Sequence, residues 1–436
     1  MKRLVYFILC FQLLVTTGSC QKPPINPPFK PFSPATFSTN LEVVWLAPLC
    51  LDSAGGSWIW NFQVANDQYI VLSNIYDSDG ERPRGIGVYN LQTGQRHPAW
   101  QNDPGGIFAP TEFEYLRDCK TAGKNKEIIL IYSGQDLFGY SLHSGQRLWT
   151  LNIKTGIQKI SAEGDYAFIT YGSNKGFSKS WARLAMVDVY SGKKTDILEH
   201  YIEDNYEFSI EPPSAYVISN GDTLLYFTKF GGDFNTILGR TYAYCYNLTK
   251  KQMLWENKQF VSESDWSSPF LPPPFVIEND KLIVTCAKSI SCLNKNTGEL
   301  IWQRDGLGGI SETPPLYHDG KIYLRHGFLN SISYTLLCLD AQNGQQLWEN
   351  TTSNPRPAPD GRMAIYQDKL YCSISGGNAT YYLFCADIHT GKELWRDSGT
   401  YNNIAFDVLI DQRTGYLYCY TGWATMCVDL NKTPKE

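Results

Sequence analysis

Histidine is scarce in this chain, and chemistry that depends on it is hard to place. The six histidines, His97, His143, His200, His318, His326 and His389, form no H-E-x-x-H or H-x-H pattern, and no Cys/His pair has metal-ligand spacing. The common zinc-hydrolase signatures are therefore excluded. No two cysteines are adjacent and no C-x-x-C-H run occurs, which excludes a c-type haem attachment. Charge is sparse too: charged residues make up 19% and the formal net charge is −5. Nothing in that balance draws the chain to nucleic acid or to an anionic lipid surface.

What is abundant is aromatic. Tyr (28) and Trp (12) lift aromatics to 14% of 436 residues, and hydrophobic residues reach 43%, a balance that favours strands over helices. The N-terminus reads as a secretory signal over residues 1–19: Lys2 and Arg3, an apolar stretch from Leu4 to Val15 too short to span a bilayer, then Thr17-Gly18-Ser19 before Cys20. Cys20 after Gly-Ser resembles a bacterial lipobox whose thiol is acylated, although Thr17 stands where Leu is usual. Loss of the signal takes the formal charge from −5 to −7. Residues 20–39 then form the acylated Cys and a Pro-rich linker, with Pro23, Pro24, Pro27, Pro28, Pro31 and Pro34 favouring an extended spacer.

A repeat runs through residues 40–433. Cys385-Ala-Asp387-Ile-His-Thr-Gly391-Lys-Glu-Leu-Trp395 aligns without gaps on Cys338-Leu-Asp340-Ala-Gln-Asn-Gly344-Gln-Gln-Leu-Trp348 and on Cys292-Leu-Asn294-Lys-Asn-Thr-Gly298-Glu-Leu-Ile-Trp302. The stretch 245–255 keeps the frame but loses the Gly, and Gly145 and Trp149 keep the pair. The unit at 186–192 carries Asp196 where the Trp belongs, and the unit ending at Gly94 reaches Trp100 two residues late. A last unit at 427–433 lacks a Trp. Successive Trp spacings of 46 and 47 residues, with strand-rich runs before each turn, indicate propeller blades.

The expected fold is all-β: an eight-bladed β-propeller of four-stranded antiparallel blades. The eighth unit lacks its outer strand and residues 40–48, with Trp45, supply one, so an N-terminal strand should close the ring. In each unit Asp should bond to turn amides, Gly should take positive φ, and Trp should cover the neighbouring blade. Trp45, Trp149, Trp255, Trp302, Trp348 and Trp395, with Gly145, Gly298, Gly344 and Gly391, are the structural docking residues.

This frame resembles the tryptophan-docking motif of the PQQ-like (pyrroloquinoline-quinone repeat) β-propeller family, which includes quinoprotein dehydrogenases and the BamB-like propeller lipoproteins of outer-membrane β-barrel assembly. The resemblance implies a fold and leaves the site to be argued separately. The dehydrogenases it brings to mind use adjacent cysteines over the quinone and a calcium ion, with long additional loops; this chain has neither the cysteine pair nor the length. A PQQ- and calcium-dependent dehydrogenase is the minority reading, and no cofactor is expected. Asp77, Asp79 and Glu81 make half of a calcium loop and read as a hairpin loop. Cys245, Cys292, Cys338, Cys385 and Cys427 share one repeat column, as a small core hydrophobe would; a cross-strand bond such as Cys286 to Cys292 is the alternative. No catalytic residue and no metal site is expected.

With strands A to D numbered from the axis outward, the Thr-Gly turns lie on one face and the B–C loops, at 74–86, 172–183, 230–241 and 326–334, on the other. Loops on a rigid scaffold usually carry function. Arg82, Arg84, Trp181, Phe234, Trp266, His326 and Trp423 are the candidate binding face. The functional expectation is a non-catalytic, lipid-anchored periplasmic binding or scaffold propeller with an envelope-protein partner, as the resemblance to outer-membrane protein assembly implies. It would attach to the membrane through lipid, face the periplasm from the outer membrane, and bind no nucleic acid. A glycan- or small-ligand-binding lipoprotein is the other alternative.

Overall fold

The computed structural model describes residues 40–434 apart from 49–60, 74–85, 103–105, 108–115, 175–179, 202–205, 211–212, 214, 220, 234–237, 266–273, 279, 287, 308–313, 328–333, 351–355, 358–360, 378–379, 398–403 and 422–423. Eight antiparallel blades follow one another around a propeller ring. Blade 6 shows the regular form: Leu316–His318, Lys321–Gly327, Tyr334–Asp340 and Gln346–Asn350, each strand paired with the one before it. Blade 1 keeps three strands, Asn61–Ala65, Tyr69–Ser73 and Ile86–Asn90, and an isolated bridge between Tyr89 and Arg96.

The ring closes as the repeat count requires. Val43–Pro48 pairs with Ala424–Asp429 as the outer strand of blade 8, whose inner strands are Ile404–Asp411 and Tyr416–Thr421. The first and last strands of the ring thus share a sheet. Glu42 and Thr433 tie the ends together, the Glu42 N–H donating to Thr433 Oγ1 at 2.9 Å.

Blades 6, 7 and 8 each carry a row of three residues across the sheet, and this row explains the repeat. In blade 7, Tyr371 stands opposite Cys385 and Cys385 opposite Trp395; Tyr323, Cys338 and Trp348 do the same in blade 6, and Tyr418, Cys427 and Trp45 in blade 8. The central position must be small because the indole lies across it. In blade 2 the position is Gly139, and a Cβ there would come within 2.3 Å of the Trp149 ring. Immediately before each docked Trp the register shifts by one residue, as between Gln346 and Trp348, so a bulge turns the ring off its own sheet.

The ring then meets the next blade's turn. Trp348 lies against Gly391, whose φ is +69° and where any Cβ would sit 2.4 Å from the indole; Trp302 meets Gly344 in the same way at 2.5 Å. Only glycine fits there, for the backbone and for the space. The Trp348 indole N–H donates to the Ile388 carbonyl at 3.0 Å and that of Trp302 to Ala341 at 3.1 Å. The turn itself is held by Asp387 Oδ1, which accepts from the His389 and Thr390 amides, while the Gly391 N–H donates to the Asp387 carbonyl. Trp100 joins this pattern despite its late position. A 3-10 turn at Pro98–Trp100 brings it inward, 1% exposed, with its N–H on the Leu142 carbonyl. In that junction the residue beside Gly145 is Ala99, whose carbonyl oxygen would be 2.2 Å from a Cβ.

Two junctions differ. Between blades 3 and 4, Asp196 occupies the Trp position and Lys251 the Gly position, the latter still at φ +54°. Between blades 7 and 8 the turn has Thr433 in place of Gly, and the Trp395 indole N–H has no hydrogen-bond partner among the described residues.

Candidate functional site

Hydrogen bonds fix which loops share a face. The Ile388 N–H, in a C–D turn, donates to Asp368 of the adjoining A–B hairpin, and Ala341 donates to Gly320 likewise. Both kinds of turn therefore lie together, and the B–C loops lie on the opposite side.

On that opposite side blade 4 departs from the others. Its strands Asp222–Asp233, Leu238–Asn247 and Gln252–Asp265 run 12, 10 and 14 residues. The first of these pairs with two successive segments, Ala215–Ser219 near the turn face and Tyr206–Ile210 beyond it. The result is a four-stranded extension that continues the blade by roughly 15 Å at the usual strand rise. Gly231, Gly232 and Gly239 occupy adjacent register positions at its centre. The segments read as loops at 172–183 and 230–241 are thus largely strand. Glycine in them marks close strand packing instead of a turn, and pairing of Gly231 with Arg240 and of Ser173 with Trp181 continues both ladders. Among the described residues, nothing pairs with the outer side of Gln252–Asp265.

Of the candidate binding residues, the structure shows the surroundings of His326 alone. His326 closes strand Lys321–Gly327 and is 14% exposed, with Nε2 3.0 Å from Glu349 Oε1. Thr335 Oγ1 donates to the same oxygen, and Arg304 reaches the cluster through Gln346. Burial lowers the His326 pKa below the usual histidine value, and Glu349 opposes that shift. The side chain is therefore held within its own blade, on a strand and against Glu349. Trp181 lies in strand Ser180–Asp188, with its backbone opposite Ser173 and Tyr201. Arg82, Arg84, Phe234, Trp266, Trp423 and the expected acylation site Cys20 lie outside the described residues. Trp266 directly follows the outer strand of blade 4, and the next inner strand begins only at Phe275.

The cross-strand cysteine pairs of blades 5, 7 and 8 are not placed for a disulfide. All nine described cysteines are buried. In blade 5 Cys286 stands opposite Ser289 and Cys292 opposite Ile283, so their side chains fall on opposite faces of the sheet. Cys372 with Cys385, and Cys419 with Cys427, are separated by the same alternation. Burial pushes the Cys292 and Cys385 thiols up to about 12, which makes them unreactive. Among the described residues no cluster of His, Cys, Asp and Glu could hold a metal ion.

Comparison with known proteins agrees with this architecture. A protein-family model described as outer membrane protein assembly factor BamB matches residues 215–419. No curated protein matches the chain. Among solved structures, Sqt1 of Saccharomyces cerevisiae superposes with a TM-score of 0.56 at 9% identity, covering 89% of this chain and 99% of its own. The dihydro-heme d1 dehydrogenase NirN gives a TM-score of 0.48 at 10% identity over 78% of this chain and 67% of its own. Hsv2p of Kluyveromyces lactis gives 0.41 at 11% over 78% and 98%. At 9% identity the likeness to Sqt1 concerns the fold alone. The docking repeat, the eight-bladed ring and the match over residues 215–419 together fit the chain to a PQQ-like propeller family.

Proposed function

We propose that this chain is a non-catalytic binding or scaffold propeller of the cell envelope, anchored by lipid at Cys20 and held off the outer membrane by the Pro-rich linker, facing the periplasm. It works without quinone or calcium, and its partner is another envelope protein engaged on the face opposite the turns. The observation that carries this reading is the blade 4 extension: a sheet continued beyond the ring, with an unpaired outer edge among the described residues, on the side where loops vary. An exposed strand edge accepts an extended segment of a partner through main-chain hydrogen bonds. The family match over residues 215–419 supports a protein-binding role in the same compartment.

A photo-crosslinking residue at Phe234 and one at Thr390, compared in intact cells, test the reading. The expected result is an adduct with one outer-membrane assembly protein from Phe234 and none from Thr390. Equal adducts from both faces, or none from Phe234, would overturn it. A fatty-acid label that persists in Cys20→Ala would overturn the anchor.

A further inference from the structure

Away from the partner face, a cavity of about 400 Å³ opens beside the central channel on the turn side, among the inner strands of blades 6, 7 and 8. The repeat pattern directs attention away from this face, because the turns there are structural. The cavity is built from different residues, contributed by Leu316–His318, by Ala364–Tyr366 and the hairpin after it, and by Ile404–Asp411. Its buried lining is apolar, with Met363, Ile365 and Val408 each below 9% exposed, and Tyr317 and Tyr366 add aromatic rings. Its exposed lining is polar: His318, Gln367, Asp368 and Gln412.

Hydrogen bonding decides what those polar groups still offer. The Gln412 amide nitrogen donates to the Ile365 carbonyl at 2.8 Å, which leaves Oε1 as an acceptor. Tyr366 donates its hydroxyl proton to Asn431 and receives Gln367 Nε2 on the same oxygen. The Asp368 and His318 side chains have no hydrogen-bond partner among the described residues. Arg362, the cation of the lining, is held 2.9 Å from Asp407 and is neutralised there. An anionic ligand would therefore meet a guanidinium that is already paired, while Asp368 leaves one carboxylate able to accept from a donor. What remains is an apolar and aromatic floor beneath a rim rich in acceptors, in a volume suited to a small molecule.

We propose that this cavity binds a neutral saccharide, whose ring face packs on Met363 and the two tyrosines and whose hydroxyls donate to Asp368 and Gln412. The site is independent of the partner surface, so failure of either proposal leaves the other standing. The test uses purified protein, saturation-transfer NMR, and glucose, galactose, mannose and N-acetylglucosamine as probes, with benzoate and spermidine as charged controls. Transfer is expected to be stronger from at least one sugar than from either control. Asp368→Asn and Gln412→Ala should each weaken it about tenfold, the loss of one good hydrogen bond. Leu409→Trp, which fills the cavity from a partly exposed wall position, should abolish it while the thermal transition stays in place. Absence of transfer from all four sugars, equal transfer from a control, or binding that survives these substitutions would overturn the proposal.

Discussion

Blades 5 to 7 and the junction between blades 3 and 4 meet the same packing demand with different chemistry. In the first region a bulged Trp crosses from one blade to a glycine in the next, and its indole N–H closes on a turn carbonyl, as Trp302 does at Ala341. In the second both halves of the dock are missing together. Asp196 instead accepts from Lys194 Nζ at 2.6 Å and from the Tyr171 hydroxyl, and the bulge falls between Leu184 and Ala185, so that Ile197 becomes the extra residue after the Asp. Where the indole is absent there is no reason to keep the turn free of a side chain, and where Trp395 remains without its glycine, at Thr433, its indole N–H makes no hydrogen bond among the described residues. The junction between blades 3 and 4 also shows that a propeller tolerates a polar seam when its neighbours are locked.

The largest test of this contrast is Gly344→Val, which breaks a dock by strain and by collision with Trp302. A loss of about 3–5 kcal/mol is expected in chemical denaturation, similar to removing a buried aromatic. A loss below ~1 kcal/mol would mean that the docks contribute no more than the seam. Next in size is the order of opening. Cys245, in blade 4 beside the seam, should react with a thiol reagent about tenfold faster than Cys338 under mild denaturant, because local opening starts where docking is absent. Equal rates would make the ring one cooperative unit. Without denaturant all described thiols should be silent, since burial raises Cys245 and Cys338 to about 11.

The smallest effect is on pH. Burial raises the Asp196 pKa, but hydrogen bonds from Lys194 and Tyr171 outweigh it and leave the carboxyl below its usual value. Its contribution is therefore complete above the ordinary aspartate pKa near 4 and fades as pH falls through the lowered one. Asp196 is 55% exposed, so the contribution is small. The protection factors of residues 194–201, corrected for the intrinsic pH dependence of amide exchange, should fall as pH drops below about 4, and Asp196→Asn should remove that dependence.

The ring was legible because its determinants recur: Asp387, Gly391 and Trp395 can be compared with four other copies, and the shortage of one outer strand pointed to residues 40–48. What does not recur was harder to read. The blade 4 extension depends on glycines at Gly231, Gly232 and Gly239 that signal a loop as readily as a flat strand, and only the pairing of both neighbours distinguishes them. His326 looked like a loop residue because nothing local announces Glu349, which lies on another strand. The channel-side cavity combines three inner strands with no shared motif. Trp100 sits between these cases, since the repeat marked it and the 3-10 turn explains its delay.

The closing sheet of blade 8 has a consequence for biogenesis. Its outer strand is among the earliest parts of the ring to be synthesised and the strand it needs is among the last, so blade 8 keeps an open edge until the rest of the ring has been made. Ring closure thereby doubles as a test of intact length: a product truncated before Ala424 would leave Val43–Pro48 with no strand to join. Such a fragment would expose an unpaired strand edge, which favours aggregation and proteolysis.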